Sequence, residues 1–258
     1  MNITVSNTPQ GLGVLAAQHT AKLLQECIRE KGSARLVLST GSSQFETLDA
    51  LLHQPVDWRR VTTFHLDEYV GLPEDHPASF RKYLRTRFLD KIPMGEYHLV
   101  DGNVDSIPAL SQALLAAPID VGLIGVGQNA HIAFNDPPAD FDTKEAYICV
   151  TLDDICKQQQ VGEGWFRDLD EVPKQAISMT VHQIMQCKHI VSAVPHKVKA
   201  MAVRNMLTQD TTPMVPATIL KEHPNFSLFL DAESASEIQE SEICGSKQFP
   251  QFTVTIEN

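Results

Sequence analysis

The sequence has no long apolar run, and no segment approaches the roughly 20 residues that a membrane-spanning helix requires. Its opening stretch, MNITVSNTPQ, lacks a basic segment followed by an apolar one, so no secretory signal is expected and the cytoplasm is the expected location. Positive charge is scarce. With 21 Lys and Arg against 32 Asp and Glu, the formal charge is -11, a field that repels nucleic acid and anionic membrane surfaces. The cysteines Cys27, Cys149, Cys156, Cys187 and Cys244 lack the paired short spacing of a zinc site or redox dithiol and read as reduced, mostly buried thiols. Repeats, low-complexity tracts and Pro/Gly/Ser-rich linkers are missing as well. Residues 1–258 are therefore expected to form a single domain.

What is present is a core. Hydrophobic residues make up 43% of the chain and charged residues 21%, which is ordinary globular usage. Short apolar or β-branched runs at Leu36 to Ser39, Val61 to Leu66, Ile119 to Ile124, His189 to Val194 and Phe226 to Leu230 read as buried strands. Between them the period changes to that of a helix, as in Phe45, Leu48 and Leu52, or Leu110, Ala113, Leu114 and Ala117. Thr180 and Ser106 mark two helix starts. Such alternation predicts an α/β fold: a Rossmann-like domain whose mostly parallel sheet carries helices on both faces. Residues 136–172, with Pro137, Pro138, Gly162 and Gly164, are the most irregular stretch and long enough for a lid-like insertion.

Ligands of open parallel sheets bind beyond the carboxyl ends of the strands, which selects three loops. In the first, Thr40, Gly41, Ser42 and Ser43 open a helix and suit a phosphate, because Gly41 permits a tight turn and the helix start offers free N–H groups. Ser43 with Glu46 is equally a capping box. In the second, Asp67 and Glu68 are adjacent carboxylates at a strand end. Neighbouring strand residues face opposite ways, so one of the two addresses a pocket, as a proton-transferring base or as a polar strand cap. His65 with Asp67 makes only two metal ligands without a third, so no metal is expected. The third loop runs from Gly125 to Pro137, where Gly125 and Gly127 allow close backbone approach and His131 sits among amides and a carboxylate, as an acid or base working near neutral pH would. It is not a dinucleotide fingerprint.

In this order the loops resemble the glucosamine-6-phosphate deaminase family, which is related to the 6-phosphogluconolactonases. The resemblance rests on Asp67-Glu68-Tyr69-Val70-Gly71-Leu72-Pro73, on Gly127-x-x-x-His131-Ile132-Ala133-Phe134-Asn135, and on Thr40-Gly41-Ser42-Ser43 upstream. It implies an enzyme that converts a hexosamine 6-phosphate to a ketose phosphate and ammonia. Asp67 would carry a proton between C2 and C1, and His131 would open the pyranose ring with help from acids of its own loop. The phosphate would lie on Thr40 to Ser43 and on Lys197, with Glu68, Gly125 and Gly127 also around the substrate. The position of a second phosphate-binding cation is left open: Lys157-Gln158-Gln159-Gln160 lies about where the lid would supply one but holds no clean arginine match. The resemblance implies no cofactor and leaves self-association open.

The chain departs from the family pattern at two positions. Asn129-Ala130 stands where the best-known deaminases have Asp-Gly, and Asp136 where they have Glu. Asn129 can fix a tautomer but supplies no charge, and Asp136 reaches one methylene less far, which leaves the sugar epimer open. Lactone hydrolysis and a non-catalytic sugar-phosphate sensor are the two alternatives.

Overall fold

A computed structural model describes residues 1–162, 164–238 and 256–257. The strands are β1 (Asn2–Ser6), β2 (Ala34–Leu38), β3 (Val61–His65), β4 (Asp67–Tyr69), β5 (Tyr97–His98), β6 (Val121–Leu123), β7 (Tyr147–Thr151), β8 (Gln175–Met179), β9 (His189–Val194), β10 (Phe226–Asp231) and β11 (Ile256–Glu257). The helices are α1 (Pro9–Lys31), α2 (Phe45–Leu52), α3 (Phe80–Arg87), α4 (Ile107–Leu115), α5 (Asp154–Gly162), α6 (Val181–Met185) and α7 (Ala200–Thr208). None of these helices is long and apolar enough to cross a membrane.

Eight strands form one sheet in the order β11-β1-β10-β9-β6-β2-β3-β5, and every neighbouring pair runs parallel. Side-chain alternation divides the core between its two faces. Leu36, Leu38, Val121, Leu123, Val191 and Ala193 pack with Leu12, Ala16 and Leu24 of α1, Leu48 and Leu51 of α2, and Leu84 of α3. Val37, Phe64, Ile190, Leu228 and Leu230 point the other way, toward Ile184 of α6 and Val203, Met206 and Leu207 of α7. Each fully buried leucine contributes about 2 kcal/mol by the area it removes from water.

The longest helix, α1, starts where the Thr8 side chain accepts the Gly11 amide and Pro9 takes the first helical position. It stops at Gly32, whose positive φ of 85° lets the chain turn away. Thr180 caps α6 by accepting from the Gln183 amide, as its sequence position suggests. Ser106 makes no side-chain cap; Asn103 accepts from Asp105 one turn earlier and starts the 3-10 turn that leads into α4.

The stretch 136–172 is more regular than its composition suggests, because it contains β7 and α5. β7 pairs antiparallel with β8, and β8 with β4, in a small second sheet. The apolar run expected to end at Leu66 therefore breaks there. Leu66 donates its amide to Leu38 in the main sheet and accepts from Met179 in the small one, so Asp67 begins a new strand at the junction of the two sheets. Of the cysteines, Cys156 and Cys187 are buried, Cys27 and Cys149 are partly buried, and all four are unpaired; Cys244 lies outside the described residues.

From β2 the chain proceeds outward to β3 and β5, and from β6 outward in the opposite direction to β9 and β10. The order reverses between β2 and β6. The crevice beyond their carboxyl ends is where such sheets place a ligand.

Candidate active site

That crevice is a pocket lined by loops after four adjacent strands, β3, β2, β6 and β9, and closed from above by α5 and the residues after it. Asp67 and His131 both line it, together with Thr40, Gly41, Ser42, Ser43, Gly125 and Gly127.

After β2 the chain turns at Gly41, with φ of 103°, into a 3-10 turn over Ser42–Gln44 that runs on into α2. A β-carbon would be strained at that φ. Neither the turn nor α2 has a side-chain cap, so the capping-box alternative for Ser43 and Glu46 is not realised. The amides at the start of the turn have no intrahelical acceptor, and with the Ser42 and Ser43 hydroxyls they face the pocket. Two hydrogen bonds hold the loop: Tyr83 donates its hydroxyl to the Gly41 carbonyl at 2.9 Å, and Gln44 Nε2 donates to the Ala193 carbonyl at 3.1 Å.

The acids of the second loop separate as strand alternation requires. Asp67 and Tyr69 share one face of β4 and Glu68 takes the other. Glu68 is thus not a substrate residue. It is fully buried and accepts from Ser79 Oγ at 2.9 Å, the Arg81 amide at 3.0 Å and Arg81 Nε at 3.2 Å. It locks α3 onto β4. Glu68→Ala would strand the buried Arg81 guanidinium and is expected to cost about 3–5 kcal/mol in a denaturant titration. Burial, followed by the nearby Glu68 and Asp136 charges, raises the Asp67 carboxyl well above the usual carboxylate range. His65, two residues earlier, is fully buried and accepts the Val100 amide at 3.3 Å.

In the third loop the imidazole of His131 lies across the backbone of Gly127, so close that a β-carbon there would stand 2.3 Å from Cε1. His131 Nδ1 is 3.1 Å from Asp136 Oδ1. Asn129 does not touch the ring, which corrects its expected role as a tautomer-fixing amide. Its Oδ1 accepts the His131 amide at 3.1 Å and its Nδ2 donates to Asp136 Oδ1 at 2.9 Å, so it orients the carboxylate that contacts the ring. Burial works to raise the Asp136 carboxyl, but the contacts from His131 and Asn129 prevail and hold it at about 2. Neither Asn129 nor Asp136 lines the pocket; both stand behind His131. The loop is anchored on the small sheet by Asn135, whose Nδ2 donates to the Met179 carbonyl at 2.9 Å, and by the Phe134 amide, which donates to Ser178 Oγ at 3.0 Å. Ala130 holds a left-handed φ of 65°, a conformation suited to glycine.

Lys197 is misassigned by the sequence pattern. It sits in the 3-10 turn Lys197–Lys199, where successive side chains are about 120° apart. Its ammonium points outward to Ser236 Oγ at 2.6 Å and Glu237 Oε1 at 2.8 Å, while Lys199, two positions on, is buried and lines the pocket. Position within one turn decides between them, and no linear pattern encodes it. Lys157 pairs with Asp154 at 3.5 Å, and among the described residues Gln159 and Gln160 of α5 and the nearby Trp165 line the pocket. With Lys199 lining the pocket beside the loop of hydroxyls and Lys197 turned outward, Lys199→Met is expected to raise KM for a phosphorylated substrate about tenfold or more, and Lys197→Met to change it by less than about twofold. Steady-state kinetics on the two variants reads the difference.

Comparison with known proteins agrees with this geometry. Residues 7–228 match the family described as glucosamine-6-phosphate isomerases/6-phosphogluconolactonase. A glucosamine-6-phosphate deaminase of Lactobacillus delbrueckii subsp. bulgaricus is 34% identical over 240 residues, covering 92% of this chain and 99% of that one. One from Oenococcus oeni is 32% identical, over 86% of this chain and 93% of its own. Among solved structures, a monomeric glucosamine-6-phosphate deaminase superposes with a TM-score of 0.84 at 30% identity, over 92% of this chain and all of its own. A 6-phosphogluconolactonase from Shewanella baltica shares the fold, with a TM-score of 0.74 at 19% identity over 90% of this chain and 98% of its own.

Proposed function

Because this chain belongs to the glucosamine-6-phosphate isomerase/6-phosphogluconolactonase family, we propose that it isomerises and deaminates a hexosamine 6-phosphate, releasing a ketose phosphate and ammonia. The observation that carries this reading is one pocket in which Asp67, His131, the Thr40–Ser43 turn and Lys199 converge from four different strand ends.

The phosphate binds the turn amides, the Ser42 and Ser43 hydroxyls and the Lys199 ammonium, which together offset the acidity of the whole chain. His131, whose Nδ1 lies 3.1 Å from Asp136 Oδ1, moves a proton between the anomeric hydroxyl and the ring oxygen, and the sugar opens to its aldehyde. The ionised Asp67 carboxylate then removes the C2 proton and returns it to C1. The electron pair left at C2 passes through an enol-type intermediate in which O1 takes a proton given up by the C2 ammonium, so that C1 becomes CH2OH and C2 becomes an iminium carbon. Water adds to C2 and ammonia leaves. A base whose pKa is raised toward the working pH holds the abstracted proton better than an ordinary carboxylate does.

In this reading residues 1–258 act as one domain in the cytoplasm, and residues 136–172 are a lid-like insertion that brings Gln159, Gln160 and Trp165 over the sugar. Asp136 and Asn129 replace a longer acid and a second acid, so glucosamine 6-phosphate and its galacto epimer are both substrates to try. Incubation with each, with ammonia and ketose phosphate measured separately, is expected to give both products in equal amounts from at least one. Absence of both products from both sugars would remove the proposal.

A further inference from the structure

The Tyr69 hydroxyl donates to Gln160 Oε1 at 2.7 Å, and both residues are buried, Tyr69 completely and Gln160 to 6% exposure. The bond joins α5 to β4, which also meet in an apolar cluster of Tyr69 with Cys156 and Val161. Tyr69 itself cannot move: its ring packs against Phe80, Phe134 and Phe166 with centroids 5.2, 5.2 and 5.4 Å away. A carboxamide has one oxygen and one NH2 group, so engaging the oxygen fixes which way the nitrogen points. Gln160 lines the pocket, and among the described residues no acceptor is bonded to its Nε2. Tyr69 and Asp67 lie on the same face of β4, so the fixed amide is held on the side of the pocket where Asp67 stands.

From this we propose that Gln160 is a substrate-positioning residue: its NH2 group, oriented by Tyr69, donates to an oxygen at the C1 to C3 end of the sugar and sets that end against Asp67. The inference rests on the deaminase reading above and adds to it a role for Gln160. An NH2 group selects an oxygen acceptor and disfavours an ammonium, so it steers a hydroxyl or carbonyl to this spot and the amino group away from it. The phosphate seat, at the ends of β2 and β9, is a different part of the pocket.

Three variants test this: Gln160→Glu keeps the acceptor for Tyr69 but removes both donors, Gln160→Leu removes everything polar, and Tyr69→Phe leaves the amide unoriented. Both Gln160 variants are expected to raise KM for the hexosamine phosphate about tenfold with a smaller change in kcat, and Tyr69→Phe to raise it less. Tyr69→Phe combined with Gln160→Leu should be no worse than Gln160→Leu alone, because the hydroxyl acts through the amide. Inhibition by inorganic phosphate should be unchanged in all of them. A lowered melting temperature with KM and kcat within about twofold of the parent would make the pair structural and overturn the proposal. Weaker phosphate inhibition in parallel with KM would place Gln160 on the phosphate and overturn it equally. If the parent protein turns over neither hexosamine phosphate, the deaminase reading fails; if the parent is active and the Gln160 variants match it, only this inference fails.

Discussion

Asp67→Asn is expected to lower kcat by about a thousandfold or more while making the protein more stable at neutral and alkaline pH. The two effects have one cause. The Asp67 carboxyl is buried beside Glu68 and Asp136, and its pKa is raised in the folded state. In the unfolded chain it titrates in the ordinary carboxylate range. Between those two values the native state retains a proton that the unfolded chain has lost, so the stability this proton supplies is present at low pH and declines as pH rises through the folded value. An asparagine has the same shape and no charge to desolvate. Melting curves should therefore separate the variant from its parent more at pH 8 than at pH 4. Turnover by the parent should rise with pH through the same folded value, since only the ionised form can take the C2 proton. A stability difference that does not grow with pH would contradict the assigned direction, and retained turnover would remove Asp67 as the base.

Gly127→Ala should lower kcat/KM by about a hundredfold without unfolding the protein, because a displacement of the reacting group by about 1 Å costs that much. The added β-carbon would stand 2.3 Å from Cε1, 2.4 Å from Nε2 and 2.5 Å from Cδ2 of His131. No contact that short survives, so the imidazole must swing away from Asp136 and from the sugar. The Gly127 backbone itself accepts alanine, since its φ is not in the left-handed region. The loss should thus fall on ring opening. A substrate supplied in its open form, or trapped as an acyclic analogue, should be affected less than the cyclic sugar. Equal loss for both would mean that His131 acts elsewhere in the reaction.

Much of the architecture was legible in one dimension because burial imposes it locally. β9 spans the expected His189 to Val194, and the runs near 36, 61, 121 and 226 all became strands of the parallel sheet, with ends displaced by one or two residues. Strands β1, β5, β7 and β8 were not read from the sequence: they are short, and they owe their pairing to neighbours elsewhere in the chain. Helix α1 was not read from the sequence, because its apolar stripe is diluted by alanine; its ends at Thr8, Pro9 and Gly32 are seen in the structure. Strand alternation required Asp67 and Glu68 to part, but which one faced the pocket depended on where the chain leaves the main sheet at Leu66.

The sequence alone determined that the fold is α/β and, by strand-end position, which three loops line the pocket, since both are local properties. Tertiary structure decided the partners. That Lys199 and not Lys197 lines the pocket, that Asn129 bonds Asp136 and not the ring, and that Gln160 meets Tyr69 follow from side-chain directions and from contacts that, in the Tyr69–Gln160 pair, cross 91 residues of chain. Such contacts are set by how the layers pack, which no single segment encodes.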